Sequence, residues 1–434
     1  MESVWRSTVS LPKFESLQGD VSTDVLIIGG GITGILCAYF LQERGIDYLL
    51  VEGNEICCGV TGNTTAKITV QHGLTYGKLL KHAGLEKTKL YLEANRKAVQ
   101  KYAELAADIS CDFEEKTAYV YSMDNRKKLE KEAEAYRLLG LDDAIVEPAE
   151  LPFSTAGAVR MRQQAQFHPL KFLAKIAEGL NICEHTFVTQ LMPGRALTDK
   201  GRINYQKVIF ATHYPVDNKH GCYFIKLYQH RSYVTAWEQA AHMDGMYVDE
   251  AKKGMSFRSF DHLLLVGGGG HRTGKKGGNW KELREFVQRY YPNAVERYHW
   301  AAQDCMPLDD APYIGEYSPA LPDCYVATGF RKWGITSAMV SATLLADMVQ
   351  GIENPYAEVF RPARSVFTGQ LLCNSAESIC NLLTPTVPRC PHLGCALKWN
   401  RTEHSWDCPC HGSRFTEDGR LLDNPANGDA KWRR

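Results

Sequence analysis

The chain has 434 residues, 44% hydrophobic and 23% charged, which is enough to bury a large core in two or three domains. Its 50 Lys+Arg balance 50 Asp+Glu, so no net field favours nucleic acid or an anionic membrane as partner. It has no run of 18 apolar residues, and the opening MESVWRSTVSLPKFESL lacks a signal-peptide core, so no transmembrane helix or leader is expected and the protein is placed in the cytoplasm.

Residues 1–20 read as an irregular lead-in. Residues 24–28, DVLII, form an apolar run ended by three glycines, a helical pattern follows to about Arg44 with Gly45 as its stop, and YLLVE, 48–52, is the next strand. Strand, glycine turn, helix, strand is a βαβ opening. The stretch 84–140 is helix-rich and charged. KVIFA, 207–211, is another buried strand, and 222–270 read as antiparallel strands with visible alternation. CYVAT, 324–328, is a short strand, and 335–350 is helical. Composition changes between Pro355 and Arg364, which puts a domain boundary at 365–370.

The segment GGGITG holds G-x-G-x-x-G as Gly29, Gly31 and Gly34. It follows a strand, opens a helix, and has an acid, Glu52, at the end of the next strand, which is the context a dinucleotide site requires. Gly29 permits the tight turn, Gly31 lets the backbone approach the pyrophosphate, and Gly34 lets helix and strand pack closely. Glu52 is expected to accept hydrogen bonds from the adenosine ribose, which disfavours a 2′-phosphate. The motif by itself accepts FAD or NAD. A ligand-free glycine turn would not call for the acid.

Ten of the 14 cysteines are scattered and are expected as free, buried thiols in a reducing compartment. The other four lie in RCPHLGCALKWNRTEHSWDCPCHGSRF, which contains Cys390-x-His392 and Cys408-x-x-His411 with residues 393–407 between the pairs. Two loops that each give one Cys and one His can straddle a Rieske 2Fe–2S centre, where one iron takes two Cys and the other two His. Zinc also accepts two Cys and two His, but its usual spacing pairs like with like. Residues 365–389 show little strand pattern, so the small domain looks truncated and is expected to dock on the larger one. Cys373 and Cys380, in this connector, are expected to be packing residues.

The segment DVLIIGGGITGILCAYFLQERGIDYLLVE resembles the FAD-binding start of the D-amino-acid-oxidase-like (glycine oxidase, sarcosine oxidase) flavoproteins. GVTGNTTAKIT, KVIFATH, and PYIGEY followed by YVATGFRKWGITSA are similar to later segments of that family. The resemblance implies FAD. It implies Thr64, Thr65 and Lys67 beside the cofactor, with Lys67 favouring an anionic reduced flavin. It implies Val188 at the adenine, and Gly329, Gly334 and Thr336 near the flavin. CPHLGC and CPCHGS resemble the Rieske proteins of cytochrome bc complexes. This second resemblance implies a Cys395–Cys410 disulfide, a Ser413 hydroxyl bonded to a cluster sulfur, and Phe415 where high-potential members have tyrosine.

The expected fold is therefore α/β: a Rossmann-like FAD-binding domain with an antiparallel-sheet substrate domain, plus a small C-terminal β-rich Rieske-like domain. The oxidoreductase part covers 1–365, with FAD-binding parts at about 20–75, 145–215 and 305–355 and a substrate part at about 220–304; 366–434 hold the connector and the short Rieske domain. Arg231 and Arg258 are candidates for binding a substrate carboxylate, and His168 for facing the active cavity, with Tyr233 and His230 behind them. The expected activity is oxidation of a small amine or amino acid by FAD, with electrons passed singly through the cluster to an external carrier. The alternatives are an oxygen-using oxidase and a non-catalytic electron carrier or redox sensor.

Overall fold

In a computed structural model of the chain, residues 2–141, 145–217, 220–364, 368–385 and 388–431 are described. Val21–Ile28 is the central strand of the first sheet, parallel to Tyr48–Val51 on one side and to Arg202–Phe210 on the other. Arg202–Phe210 runs parallel to Leu321–Thr328, and Tyr48–Val51 to Ile182–Cys183. A strand covered on both faces reads as an unbroken apolar run, and Val25, Leu26, Ile27 and Ile28 are all buried. The helix Ile32–Glu43 is apolar nearly all round because it is enclosed, packing against the helix Gly334–Val349.

The second sheet has nine strands among the described residues: in order Val295–Met306, Tyr228–Glu238, Leu263–Arg272, Ser256–Phe260, Met246–Asp249, Glu114–Ser122, Gly157–Gln166 and Lys67–Ile68, with Val146–Glu147 beside Gly157–Gln166. This differs from the expected substrate part at 220–304, because strands from 67–68, 114–122 and 146–166 complete it. Glu114–Ser122 lies between two helices in a charged stretch, and its alternation is legible only once a partner strand covers one face. One pair, Met246–Asp249 with Glu114–Ser122, is parallel, so the sheet is mixed. Residues Tyr223–Lys226 form a short helix where a strand was expected, and the strand begins at Tyr228.

The N-terminal segment is not irregular. Ser3 caps a helix, Val4–Thr8, and Trp5 is fully buried with its indole N–H donating to the Thr64 carbonyl at 2.7 Å. A buried tryptophan contributes about 3–5 kcal/mol relative to alanine, so this segment pins the loop that follows the second strand of the first sheet.

Part of the expected boundary, residues 365–367, lies outside the described residues. The connector forms a helix, Gly369–Leu383, that turns Asn374 and Asn381 inward and leaves Leu372, Ile379 and Leu383 exposed. Cys373 and Cys380 are therefore exposed rather than packed, because the inward face of this helix is polar. Of the ten scattered cysteines, Cys37, Cys57, Cys111, Cys305 and Cys324 are buried, while Cys58, Cys183 and Cys222 are half-buried or exposed, like the two in the connector. Four short antiparallel strands follow, from Lys398–Asn400 to Leu421–Asp423.

Polar contacts fix this small domain against the larger one. The Arg272 guanidinium donates to the carbonyls of Pro409 and Cys410, both at 2.9 Å. Gln303 donates to the Gly412 carbonyl at 2.9 Å, and Asn424 to the Thr212 carbonyl at 2.6 Å. Glu403 lies against Arg231 and Tyr233 of the second sheet.

Candidate functional site

A cavity of about 1670 Å³ runs from the glycine turn, past the second sheet, to the last strand and tail of the C-terminal domain. At its dinucleotide end Gly29 has φ +109, and a Cβ there would lie 2.7 Å from the Ala211 carbonyl oxygen. A Cβ on Gly34 would lie 1.9 Å from the Gly29 oxygen, so only glycine lets helix and strand meet. Gly31 caps the helix Ile32–Glu43 and lines the cavity. The Thr61 hydroxyl accepts the Ile32 N–H at 3.0 Å, a contact with no signal in the sequence motif.

Glu52 also lines the cavity, accepting N–H bonds from Gly30 at 2.7 Å and from Asn54 at 2.9 Å. Burial pushes its carboxyl up and these two donors pull it back. A carboxylate has about four acceptor positions, so it retains capacity towards the cavity.

Thr64, Thr65, Lys67 and Val188 line the same space. Burial pushes the Lys67 ammonium down to about 7, with the Arg258 charge adding to the effect. Gly334 lines the cavity, but Gly329 and Thr336 do not. The Thr336 hydroxyl bonds His72 Nε2 at 2.9 Å and donates to the Thr69 carbonyl at 3.2 Å, so it points into the core, and the preceding residue, Ile335, lines the wall. His72 and His213, not anticipated, also face the cavity.

Three expected substrate contacts fall elsewhere. Arg231 forms a two-pronged ion pair with Glu403 of the C-terminal domain, at 2.9 and 2.5 Å. Arg258 is buried and donates to the carbonyls of Thr65 and Ala66 at 2.9 and 2.7 Å, so it shapes the cofactor-side loop. His168 caps the helix Pro169–Ile176 and bonds the Thr8 hydroxyl at 2.9 Å. The partners of all three lie 160 or more residues away in the chain, which local sequence cannot show. Tyr233 and His230 both line the cavity, and the Tyr233 hydroxyl donates to Glu403 at 3.0 Å.

In the C-terminal domain two loops present the Cys/His set, outside the lining of that cavity. Each closes by the same turn: Gly394 N–H donates to the Cys390 carbonyl and Gly412 N–H to the Cys408 carbonyl, both at 2.9 Å, with both glycines in the left-handed region. Cys390, Cys408 and His411 are buried, and the His392 and His411 rings lie 4.9 Å apart. Both ring nitrogens of His411 are buried without a hydrogen-bond partner among the described residues, a cost that a bonded metal removes.

Hydrogen bonds from Cys390, Cys395 and Cys410 hold the Cys408 thiol well below its ordinary range, as a thiolate ligand needs. Cys395 and Cys410 are thiols here, and their sulfurs lie within 4.8 Å of each other and of Cys408. The bridge that the resemblance implies is thus not formed in this structure, although the pair is close. Ser413 accepts the Ala426 N–H at 3.0 Å, and Phe415 is fully buried. The donor set fits a Rieske centre.

A Rossmann-like half with a mixed sheet over one cavity, joined to a two-loop Cys/His domain, defines a flavoprotein oxidoreductase that carries an iron–sulfur centre. Residues 24–348 match the FAD dependent oxidoreductase family and residues 383–432 the Rieske [2Fe-2S] domain. The chain belongs to that oxidoreductase family; it is an FAD-dependent oxidoreductase whose cofactors are FAD and a Rieske 2Fe–2S cluster.

It is 34% identical to the Rieske 2Fe-2S iron-sulfur protein YhfW of Bacillus subtilis (strain 168), over 98% of this chain and 96% of that one. Its fold is similar to L-proline dehydrogenase from P. horikoshii (TM-score 0.66, 18% identity, 80% of this chain and 98% of that one). It is equally similar to glycine oxidase from Geobacillus kaustophilus (TM-score 0.66, 18% identity, 80% and 100%). Among the described residues no helix is long and apolar enough to cross a membrane.

Proposed function

We propose that the protein oxidises a small substrate of the amine or amino-acid class and passes the electrons one at a time through the cluster to an external carrier, working in the cytoplasm. The observation that carries this reading is one cavity bounded by the glycine turn and by the last strand and tail of the small domain that carries the Cys/His loops. Beside it, the Tyr214 ring sits edge-on, 6.1 Å from His392, three residues after Ala211 at the glycine turn.

When bound, FAD supplies a two-electron acceptor and the cluster a one-electron one. Gly29, Gly31 and Glu52 hold the dinucleotide, with Val188 at its adenine and Thr64, Thr65, Lys67 and Gly334 along the flavin. Arg258 is a positioning residue that fixes the loop carrying Thr65. Cys390, His392, Cys408 and His411 would hold the cluster, and Cys395 and Cys410, whose sulfurs lie within 4.8 Å of each other, are the pair that the resemblance to Rieske proteins would join. The domain contacts of Arg231, Arg272 and Gln303 fix the distance between the two centres.

The test is anaerobic addition of simple amines and amino acids to the purified holoprotein, followed by flavin absorbance and paramagnetic resonance of the cluster. Bleaching of the flavin together with a reduced-cluster signal is expected. A flavin that is reduced while the cluster stays oxidised, with rapid peroxide release in air, would overturn the relay.

A further inference from the structure

The wall of the dinucleotide cavity is not built by the large domain alone. Residues 421–424 and 426–429, the last strand and tail of the C-terminal domain, line it together with Glu52, Val188, Ala211 and Thr212. Leu421–Asp423 pairs with Arg414–Phe415, the strand that directly follows the second Cys/His loop, so the tail starts from the sheet that supports that loop. Asn427, Gly428 and Asp429 are exposed where they meet the cavity.

Two asparagines fasten this tail to the dinucleotide half. Asn424 Nδ2 donates to the carbonyls of Thr212 and Tyr214, at 2.6 and 3.0 Å, and Asn427 Nδ2 to that of Val216 at 2.8 Å. The three carbonyls belong to the segment that leaves the strand Arg202–Phe210 through Ala211, whose own carbonyl oxygen would meet a Cβ on Gly29 at 2.7 Å. Within it His213 sits in the left-handed region at φ 65. A non-glycine residue keeps that conformation where surrounding contacts fix it, and such positions gather at ligand sites.

The same tail is fastened to the cluster loops. The Ala426 N–H donates to the Ser413 hydroxyl at 3.0 Å, and that hydroxyl also hydrogen-bonds Cys390. The Ser413 carbonyl accepts the Cys408 N–H at 2.8 Å. Gln229 donates to the Asn424 carbonyl at 2.8 Å, and its Cβ lies 2.5 Å from where a Cβ on Gly412, the neighbour of His411, would stand. One short segment thus touches the loops that present Cys390 and Cys408 on one side and the wall of the dinucleotide cavity on the other.

We propose that the FAD site is shared between the two domains: the tail 424–429 closes its dinucleotide end, so FAD is held tightly only when the cluster loops are formed, and each cofactor strengthens retention of the other. Metal binding to a small domain is folding free energy for its loops, and through Ser413 and Asn424 that order reaches the tail. The coupling runs equally in both directions, as any linkage between two binding equilibria must. Asp429 accepts the Leu421 N–H at 2.8 Å and keeps further acceptor positions. Its charge repels a pyrophosphate, so the tail meets the adenosine, whose hydroxyls and amine can donate to it. The inference rests on the cofactor assignment of the reading above, not on its substrate or its relay.

The test uses holoprotein without substrate and follows FAD release on dilution, by the fluorescence FAD gains when it leaves the protein. Wild type is stripped of iron with dithionite and an iron chelator and then reoxidised; the control takes dithionite and reoxidation alone. The stripped protein is expected to release FAD about tenfold faster than the control. Asn424→Ala and Asn427→Ala, at wild-type iron content and with wild-type cluster paramagnetic resonance, should release it faster by a similar factor. The proposal is overturned if stripping the iron leaves FAD release unchanged, or if both iron-replete variants release FAD like wild type. Where a variant does not hold iron, the stripped wild type, with every tail residue in place, decides. Failure of the relay shows only in the substrate experiment above, as a cluster still oxidised after the flavin is reduced, and leaves FAD release untouched.

Discussion

Glu403 is the most heavily committed carboxylate between the two parts of the chain, and replacing it by glutamine tests how the small domain is held. Its side chain is 3% exposed. It accepts from Arg231 at 2.9 and 2.5 Å, from Arg414 at 2.9 Å and from the Tyr233 hydroxyl at 3.0 Å. Burial alone would raise this carboxyl, but the donors of Arg231, Arg414 and Tyr233 outweigh it and hold the group at about 2, against an ordinary 4.5. That difference corresponds to about 3 kcal/mol of stability.

Removing one partner of a buried charged network costs about 3–5 kcal/mol by a separate line of argument, and the two agree. Because the folded value is depressed, the contribution is present above the unfolded value and is lost as pH falls from about 4.5 towards 2. Glu403→Gln at pH 7 is therefore expected to lose about 3 kcal/mol in urea unfolding followed by tryptophan fluorescence, with earlier loss of the cluster's visible dichroism. Arg231→Gln should lose a similar amount, and the double variant clearly less than the sum. A loss below about 1 kcal/mol, or simple additivity, would refute the network as the clamp.

Gly34→Ala places a methyl carbon 1.9 Å from the Gly29 oxygen; overpacking of this kind costs about 1–3 kcal/mol. The purified variant should carry clearly less FAD, read from its visible-to-ultraviolet absorbance ratio, and full occupancy would contradict the packing argument. Phe415→Tyr restores a hydroxyl beside the cluster and should raise its midpoint potential, as hydrogen bonds favour the reduced state; an unchanged or lower midpoint would count against that placement. Lys67, pushed down to about 7 by burial, is neutral when folded at pH values where the unfolded chain still binds its proton. Apoprotein stability should accordingly fall as pH drops from about 10.5 to 7, and Lys67→Met should flatten that slope in urea titrations.

Both cofactor signatures were legible from residues close together in the chain. Gly29, Gly31, Gly34 and Glu52 belong to one βαβ unit. Cys390, His392, Cys408 and His411 sit on two similar loops. Such sites depend on local backbone geometry: a turn that tolerates no Cβ, and a fixed spacing of ligands. The central strands were legible for a related reason, since full burial writes an unbroken apolar run.

What the sequence could not supply were partners far apart in the chain. Arg231 and Arg258 look like substrate ligands in a linear reading, but the fold gives one to Glu403 and the other to two loop carbonyls. The strand Glu114–Ser122 and the buried Trp5 acquire their roles only from residues brought against them. The placement of His230 opposite Asp304 exists only after the second sheet has closed. Local backbone chemistry is fixed by near neighbours and so is carried by the chain's order; the pairing of buried charges depends on which surfaces meet, and only the tertiary structure decides that.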